Sequence, residues 1–266
     1  MIEKIGIAGG LGWRATAYYY AALFEIAGEA WRRGAQPPLE VAVESLEIEV
    51  AGDLLREGEC HGRWTGFDNY HRAALERLRR SGAGVILIAC SRAHERLPEI
   101  AGPAGVKPVD LFEAVCIEAA ASGARRMVML GTETTARSNR LGAMLAAHGI
   151  EAITPQPDFA NEVRRLVAGL RRGTAADAGS RLTAIARSIG GSTDDDMLVG
   201  LHCTELPLAL APRDWRPIVA VDGVRFLNAA AVHARAGLVA AGLMLAGRAT
   251  EEHRGSALAE RARRKG

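Results

Sequence analysis

The sequence predicts an α/β protein of two related halves, each a parallel β-sheet covered by helices. Short apolar runs alternate with helix-like stretches, several runs are rich in Val and Ile, and a strand ending in cysteine occurs twice. Alternation of strand and helix favours parallel sheets, in which ligands bind where loops leave the carboxyl ends of the strands.

The strands are predicted at the short apolar runs Ile5–Ala8, Val41–Val43, Val85–Ala89, Met127–Leu130, Met197–Leu201 and Ile218–Val221. Between them, the apolar residues of Asp68–Leu78 fall on one helical face, and this pattern stops at Gly82. Thr134 or Thr135 is predicted to cap a helix that runs through Leu145 to Gly149.

The composition is that of a compact soluble protein with enough residues for two domains. The chain has 266 residues, of which 48% are hydrophobic and 24% charged, and domains usually hold roughly 100–150 residues. Its net charge is only +2, so the chain as a whole has no strong electrostatic attraction to nucleic acid or a membrane as partner.

The N-terminal MIEKIGIAGG lacks a secretory leader, which predicts a cytoplasmic location. Segment 237–247 is too short to span a bilayer and is predicted to be a buried helix.

The two halves share an ordered pair of motifs. KIGIAGG at 4–10 corresponds to RMVMLGT at 126–132, and each is a strand that runs into a glycine-containing turn. ILIACSRAHERLP at 86–98 corresponds to LVGLHCTELP at 198–207, and each is a strand followed by cysteine and a hydroxyl residue. We therefore expect each half to supply one thiol to a shared cleft.

The four cysteines are widely separated and show no CxxC spacing, so neither disulfides nor a metal site is expected. Free cysteine is often a core residue, and we prefer this interpretation for Cys60 and Cys116. Cys90 and Cys203 differ because each stands where a parallel strand opens into a loop, a position at which a helix N-terminus stabilises a thiolate. This pair is predicted to be functional.

The motifs GGLGWRAT, CSRAH and CTELP together resemble the aspartate/glutamate racemase superfamily of cofactor-independent, two-cysteine amino-acid racemases. Members carry a GGMG-like opening, CNTAH after one strand and CTE after another, and the resemblance spans nearly the whole chain. It implies two pseudo-symmetric Rossmann-like domains with the active site in the cleft between them. The first domain is expected at 1–112 plus 220–266, with Cys90, and the second at 113–219, with Cys203.

The resemblance also implies a mechanism that needs no cofactor. One thiolate removes the α-proton of an amino acid, and the opposite thiol delivers a proton to the other face. Cys90 and Cys203 would be these groups, the partner would be a small amino-acid or carboxylate substrate, and the protein would form a homodimer. The residues expected to bind substrate include Gly10, Leu11, Thr16, Ser91, Thr132, Thr135 and Thr204.

Departures from the family's motifs concern substrate recognition. Ser91 and Arg92 replace the Asn-Thr that usually follows the first cysteine. Arg171 lies in the segment where aspartate racemases have a Tyr and a Lys, and of that pair only the positive charge is retained. In ESLEIEV, Glu47 stands near the place where aspartate racemases carry an arginine for the distal carboxylate. If Glu47 faces the cleft it repels a second carboxylate, so the expected substrate is an amino acid other than aspartate. Arg92 either enters the site, pairs with Glu47 or lies on the surface.

Three residues beside the thiols are candidates for tuning their pKa values: His94, His202 and Glu205. A histidine next to a cysteine in sequence can equally point away along a strand. Glu205 has the alternative of capping the following turn without contacting a ligand.

Other functions stay open. Relatives in the superfamily isomerise maleate, racemise hydantoins or decarboxylate arylmalonates, although the presence of both thiols favours racemisation. A catalytically silent relative would bind a small molecule in the cleft without exchanging its proton with solvent. Nucleotide binding at IGIAGGLG is disfavoured because the motif lacks the G-x-G-x-x-G spacing.

Overall fold

The computed structural model describes residues 2–30, 38–190, 196–210 and 214–245, which form two β-sheets flanked by helices. The strands are β1 (Ile5–Gly9), β2 (Val41–Ser45), β3 (Val85–Ile88), β4 (Arg126–Leu130), β5 (Glu151–Ile153), β6 (Met197–Leu201), β7 (Ile218–Val221) and β8 (Val224–Leu227). The helices are α1 (Trp13–Ala30), α2 (Ile48–His61), α3 (Thr65–Arg80), α4 (Ser91–Glu95), α5 (Leu97–Ala104), α6 (Leu111–Ala121), α7 (Glu133–Ala136), α8 (Asn139–Ala147), α9 (Pro157–Arg172), α10 (Ala178–Gly190) and α11 (Ala229–Ala240), with a 3-10 turn at Leu206–Ala209.

The two sheets repeat one strand order. The first is β2-β1-β3 and the second begins β5-β4-β6, so the first strand of each half lies at the centre of its trio. These neighbours all pair in parallel, with Ile5 opposite Val85 in the first sheet and Arg126 opposite Met197 in the second. The repeated order agrees with the two related halves predicted from the sequence.

Alternate residues along the central strands pack on opposite faces of each sheet. Ile5 and Ile7 of β1 pack with α1 and α11, whereas Ala8 packs with α3 and α5. In the second sheet, Met127 and Met129 face α6, α8 and α11, while the alternate residues of β4 face α9 and α10. Strands covered on both faces must be apolar at every position, which explains the continuous apolar runs of the sequence.

All of the predicted strands are present, and the second sheet contains two more, β5 and β8. β8 pairs with β6 in parallel and with β7 in antiparallel orientation, so this sheet is mixed. Asp222 and Gly223 form the turn between β7 and β8 with positive φ angles of 48° and 80°. Asp-Gly is favoured there because tight hairpin turns need positive φ at both central residues.

The hairpin contains one of the predicted domain boundaries. Residue 220, where the first domain was expected to resume, lies within β7, yet Phe226 of β8 pairs with Val199 of β6. Residues 218–227 therefore belong to the second sheet. Helix α11 packs against α1 and β3 of the first half and against α6. The division of the chain into two domains, with its boundaries, stays a prediction.

Two helix predictions are also corrected. The helix before Gly149 begins at Asn139 and not at Thr134 or Thr135, because the Ser138 hydroxyl accepts a hydrogen bond from the Leu141 N–H at 2.9 Å. Segment 237–247 is helical only as far as Ala240, the end of α11, and residues 246 and 247 lie outside the described residues. No helix in the described ranges is long and apolar enough to cross a membrane.

The loop after β1 requires a glycine at position 10. Gly10 has a φ of +98°, and a Cβ there would lie 2.0 Å from the carbonyl oxygen of Leu46. The loop is held to this position by hydrogen bonds from the Leu46 N–H to the Gly9 oxygen and from the Gly10 N–H to the Thr16 hydroxyl. Both the backbone conformation and the close approach exclude a side chain.

We expect Gly10→Ala to lower the free energy of unfolding by at least about 1–3 kcal/mol, the cost of a strained backbone conformation. The matched control is Gly28→Ala in α1, where an added Cβ has no neighbour within 4 Å and alanine should stabilise the helix by roughly 0.5–1 kcal/mol. Urea unfolding followed by circular dichroism measures both. Equal stabilities for Gly10→Ala and the wild type would contradict the role assigned to this loop.

Candidate active site

The structure brings Cys90 and Cys203 to one pocket between the two halves. Each cysteine lies two residues past the end of its strand, Cys90 after β3 and Cys203 after β6. The pocket is lined by Leu11, Ala89, Cys90, Ser91 and Arg92 of the first half and by Thr132, Thr135, Arg171, Cys203, Thr204 and Glu205 of the second. Its volume is about 20 Å³, room for a water-sized molecule. A larger cleft of about 560 Å³ adjoins it and shares Arg92, Thr132 and Arg171.

The buried carboxylate of Glu205 is the centre of the polar contacts in this pocket. The Cys203 thiol donates to Oε2 at 3.0 Å, and Nε of Arg171 donates to Oε1 at 2.7 Å. The Thr204 hydroxyl lies 3.4 Å from Oε2. Glu205 is only 2% exposed, so Arg171 supplies the positive partner that a buried carboxylate requires.

Gly12 of the first loop allows Glu205 to occupy this position. A Cβ on Gly12 would lie 2.2 Å from Oε1 of Glu205. The last glycine of GGLG thus leaves room for a side chain of the other half, a contact that the sequence does not reveal.

The two thiols have unlike surroundings. Burial raises the pKa of Cys203 well above its ordinary value, and the negative charge and hydrogen bond of Glu205 raise it further. Burial also raises the pKa of Cys90, but the guanidinium of Arg92 and the backbone N–H groups of Ala93 and Arg92 oppose the rise. Cys90 is therefore the thiol whose surroundings favour ionisation more.

Hydroxyl groups surround the thiols. Ser91 is buried, and its Oγ has no hydrogen-bond partner among the described residues. The Thr204 hydroxyl lies 3.4 Å from the Ala89 oxygen across the pocket, and the hydroxyls of Thr132 and Thr135 are 3.2 Å apart. Ser91 is the donor that is free for a bound ligand, because a buried hydroxyl without a partner is costly.

Glu47 does not line this pocket, contrary to the expectation that it substitutes for a distal-carboxylate arginine. Its exposed carboxylate caps α2 and accepts hydrogen bonds from the N–H groups of Glu49 and Val50. These bonds lower the pKa of Glu47 and fix the side chain at the helix N-terminus. Arg92 does not pair with it, because the carboxylate within ion-pair distance of Arg92 is that of Glu59, 3.9 Å away.

The two candidate histidines also lie outside the pocket lining. His94 is fully buried, with Nε2 3.1 Å from the Ile88 oxygen and Nδ1 3.3 Å from the Leu111 N–H. His202 packs back against Gly200, and burial lowers its pKa to about 4. These contacts support the interpretation that both residues point away from the thiols.

Gly10 and Thr16 support the site indirectly, since both hold the first loop and neither lines the pocket.

Cys116 is buried in α6 as expected, but Cys60 is exposed. The segment around Cys60 belongs to α2, whose buried side carries Ala51, Leu55 and Gly58. Within the described part of the chain, no three His, Cys, Asp or Glu side chains are grouped to bind a metal ion.

Comparisons with known proteins agree with this architecture. The profile of the Asp/Glu/hydantoin racemase family matches residues 8–237. The crystal structure of an aspartate racemase homologue from Pyrococcus horikoshii OT3 has 27% sequence identity and a TM-score of 0.70, and the match covers 90% of this chain and 99% of that chain. An aspartate racemase from Picrophilus torridus has the same fold, with 19% identity, a TM-score of 0.71 and coverage of 91% and 96%.

We expect Glu205→Gln to lower the pH at which Cys203 ionises, because the substitution removes the negative charge that raises the pKa of this thiol. The measurement is the pH dependence of alkylation at Cys203, followed by mass spectrometry of the peptide that contains it. Glu133→Gln is the control, since that carboxylate is exposed and lies 3.8 Å from Arg137. An unchanged midpoint in Glu205→Gln would contradict the proposed influence of this carboxylate.

Proposed function

This chain belongs to the Asp/Glu/hydantoin racemase family, and we propose that it is a cofactor-independent amino-acid racemase or epimerase with Cys90 and Cys203 as its two acid–base groups. The observation that carries the proposal is the shared pocket, to which each half contributes one thiol at a corresponding strand end. Two groups placed in this way can act on opposite faces of one α-carbon.

In the proposed reaction, the thiolate of Cys90 removes the α-proton of one enantiomer and the thiol of Cys203 protonates the opposite face. For the other enantiomer the two cysteines exchange roles. The starting assignment follows from the surroundings: Glu205 favours the protonated form of Cys203, whereas Arg92 opposes the effect of burial on Cys90.

The carbanion formed in this step has no cofactor to accept its electrons, so the protein must stabilise the charge that develops on the substrate carboxylate. Ser91 has an unused hydroxyl in the pocket, and Thr204 and Arg92 lie in the same lining. We assign these donors to the carboxylate, because donors aimed at developing charge are most effective where water is excluded.

We also propose that the substrate is an amino acid other than aspartate. Glu47 does not support this proposal, because its carboxylate caps α2. The support is the size of the cleft beside the thiols, about 560 Å³, of which a side chain as short as that of aspartate fills only part. The homodimer and the cytoplasmic location remain predictions from the sequence.

Replacing either catalytic thiol should separate proton exchange from racemisation. We expect Cys90→Ser and Cys203→Ser each to reduce racemisation by roughly 10²–10⁴-fold, because a serine hydroxyl is a far weaker acid than a thiol. Each variant should keep α-proton exchange for one enantiomer only, since the remaining thiol serves its own face.

Exchange is followed by NMR in deuterated water for both enantiomers of a panel of amino acids, with hydantoins included. Cys60→Ser, which alters an exposed cysteine on α2, is the control and should react as the wild type does. Near-normal racemisation in both pocket variants would exclude a two-thiol mechanism.

The pH profile of kcat/KM should show the ionisation of Cys90. Because burial raises the pKa of this thiol, kcat/KM for the enantiomer deprotonated by Cys90 should rise with pH through a limb above the ordinary thiol value of about 8.5. Arg92→Met removes a positive charge that lowers this pKa, so the limb should move to higher pH. Arg56→Met on α2 is the control, because Arg56 is exposed and its carboxylate partner is Asp53. A limb that stays in place in Arg92→Met would contradict the assignment.

A further inference from the structure

A further cavity of about 260 Å³ adjoins the larger cleft, with which it shares Glu59, Arg92 and Thr134. The rest of its lining includes Leu55, Trp64, Glu95 and Arg96 of the first half and Arg137 and Ser138 of the second. None of these six residues lines the thiol pocket. The volume is slightly below the roughly 300–1,000 Å³ of pockets for drug-sized ligands, so a ligand of this cavity must be small.

The three residues that line both the cavity and the cleft contact one another. The Thr134 hydroxyl donates to Oε1 of Glu59 at 2.7 Å, and Arg92 lies 3.9 Å from the same oxygen. The carboxylate of Glu59 thus already has a hydrogen-bond donor and a positive partner within the protein.

Glu95 is the carboxylate of this cavity that lacks such partners. Its Oε1 is buried and accepts no hydrogen bond, and Glu95 forms no ion pair within the described residues. Two nearby arginines are occupied elsewhere, since Arg140 pairs with Asp110 and Arg96 donates to Asp68 at 2.7 and 2.6 Å. A buried carboxylate oxygen without a donor is costly, so the cavity offers an acceptor that a ligand can satisfy.

The charges around Glu95 do not replace the water that burial removes. Burial raises the pKa of Glu95, and the negative charge of Asp110 adds to the rise. The hydrogen bond of Ser138 and the positive charges of Arg140 and His94 lower the pKa, but the net shift is upward. A cationic ligand next to Oε1 would stabilise the ionised form.

The walls of the cavity favour an organic cation over a metal ion. Within the described part of the chain, no three His, Cys, Asp or Glu side chains are grouped to bind a metal. Leu55 and Trp64 give the cavity apolar surface, against which a short carbon chain can pack. The Arg96 guanidinium lies 4.9 Å from the centroid of the Trp64 ring, so this ring already has a cation as a neighbour.

We propose that this cavity binds a small organic molecule with a primary ammonium group, which donates to Glu95 while its carbon chain packs against Leu55 and Trp64. The inference does not rest on the proposed function, because Glu95, Leu55 and Trp64 lie outside the thiol pocket. Simple alkylamines and amino acids both supply this ammonium group. An amino acid also brings a carboxylate, for which Arg137 is present in the lining.

The test is calorimetric titration of the full chain with n-butylamine, with 1-butanol as the uncharged analogue and potassium chloride as the inorganic cation. We expect saturable binding of n-butylamine, no binding of 1-butanol, and the same affinity for the amine in the Cys90→Ser/Cys203→Ser double variant. In Glu95→Gln the Kd should rise at least tenfold, because the substitution removes the charge that attracts the ammonium group. Glu113→Gln is the matched control, since Glu113 is exposed on α6 and does not line the cavity. Norvaline compared with n-butylamine distinguishes an amino acid from a simple amine as the preferred ligand.

The pH dependence of binding gives a second measurement that needs no variant. An alkylammonium group, like that of lysine, stays protonated from about pH 8 to about pH 5. Because the pKa of Glu95 is raised, protonation of this carboxyl should weaken n-butylamine binding above the ordinary glutamate value of about 4.3. Glu95→Gln, with its fold checked by circular dichroism, should lack this dependence. The inference is overturned if n-butylamine does not bind the wild type, if Glu95→Gln binds it unchanged, or if potassium binds equally well.

Discussion

The arrangement of the site depends on one buried carboxylate. Glu205 accepts hydrogen bonds from Cys203 and from Arg171, and it needs the absence of a side chain at Gly12. Removing either partner of a buried charge pair is strongly destabilising, because the remaining charge is left without compensation. The carboxylate thus links the loop after β6 to helix α9 and lies close to the first loop of the other half. It also gives Cys203 chemical surroundings that differ from those of Cys90, although the two halves have related folds.

That inequality explains how two cysteines at corresponding strand ends can begin a reaction in different protonation states. Backbone geometry gives the two thiols the same relation to their strands, but the residue two positions after the cysteine is the carboxylate Glu205 in one half and the guanidinium Arg92 in the other. Burial alone would hold both thiols protonated. At the start of the reaction one thiol must be protonated and the other ionised. Surroundings that make one thiol more acidic than the other favour one of the two possible arrangements of this shared proton.

Much of the fold could be predicted from the sequence because buried parallel strands are apolar at every position. β1, β3 and β6 follow that rule, as does β4 from Met127 onward, whereas β5 is a partly exposed strand of only three residues and β8 contains Arg225 within its four residues. Pairing of β8 with β6 could not be inferred because it depends on contacts between segments distant in the chain. The positions of Cys90 and Cys203 could be predicted because strand ends place residues at one edge of a sheet.

The direction of individual side chains was harder to infer. Glu47 was expected in the cleft from its place after β2, yet the two N–H groups at the start of α2 offer its carboxylate a local partner. Local hydrogen bonding of this kind competes with any contact that sequence position suggests. Arg164 and Arg172 also line the larger cleft beside the thiol pocket, and the sequence did not indicate this because the cleft-facing side of α9 is set by how the helix packs on the second sheet.

On the proposed function, the thiol pocket must widen to admit an amino acid. About 20 Å³ between Cys90 and Cys203 accommodates water but not an amino acid. The hydrogen bond that crosses the pocket, from the Thr204 hydroxyl to the Ala89 oxygen, is long at 3.4 Å, and a neutral hydrogen bond contributes only about 0.5–1.5 kcal/mol net. The bonds of Glu205 to Cys203 and Arg171 lie within the second half, so they can move with it unbroken. Widening of the space between the thiols is therefore compatible with intact contacts of Glu205 to Cys203 and Arg171.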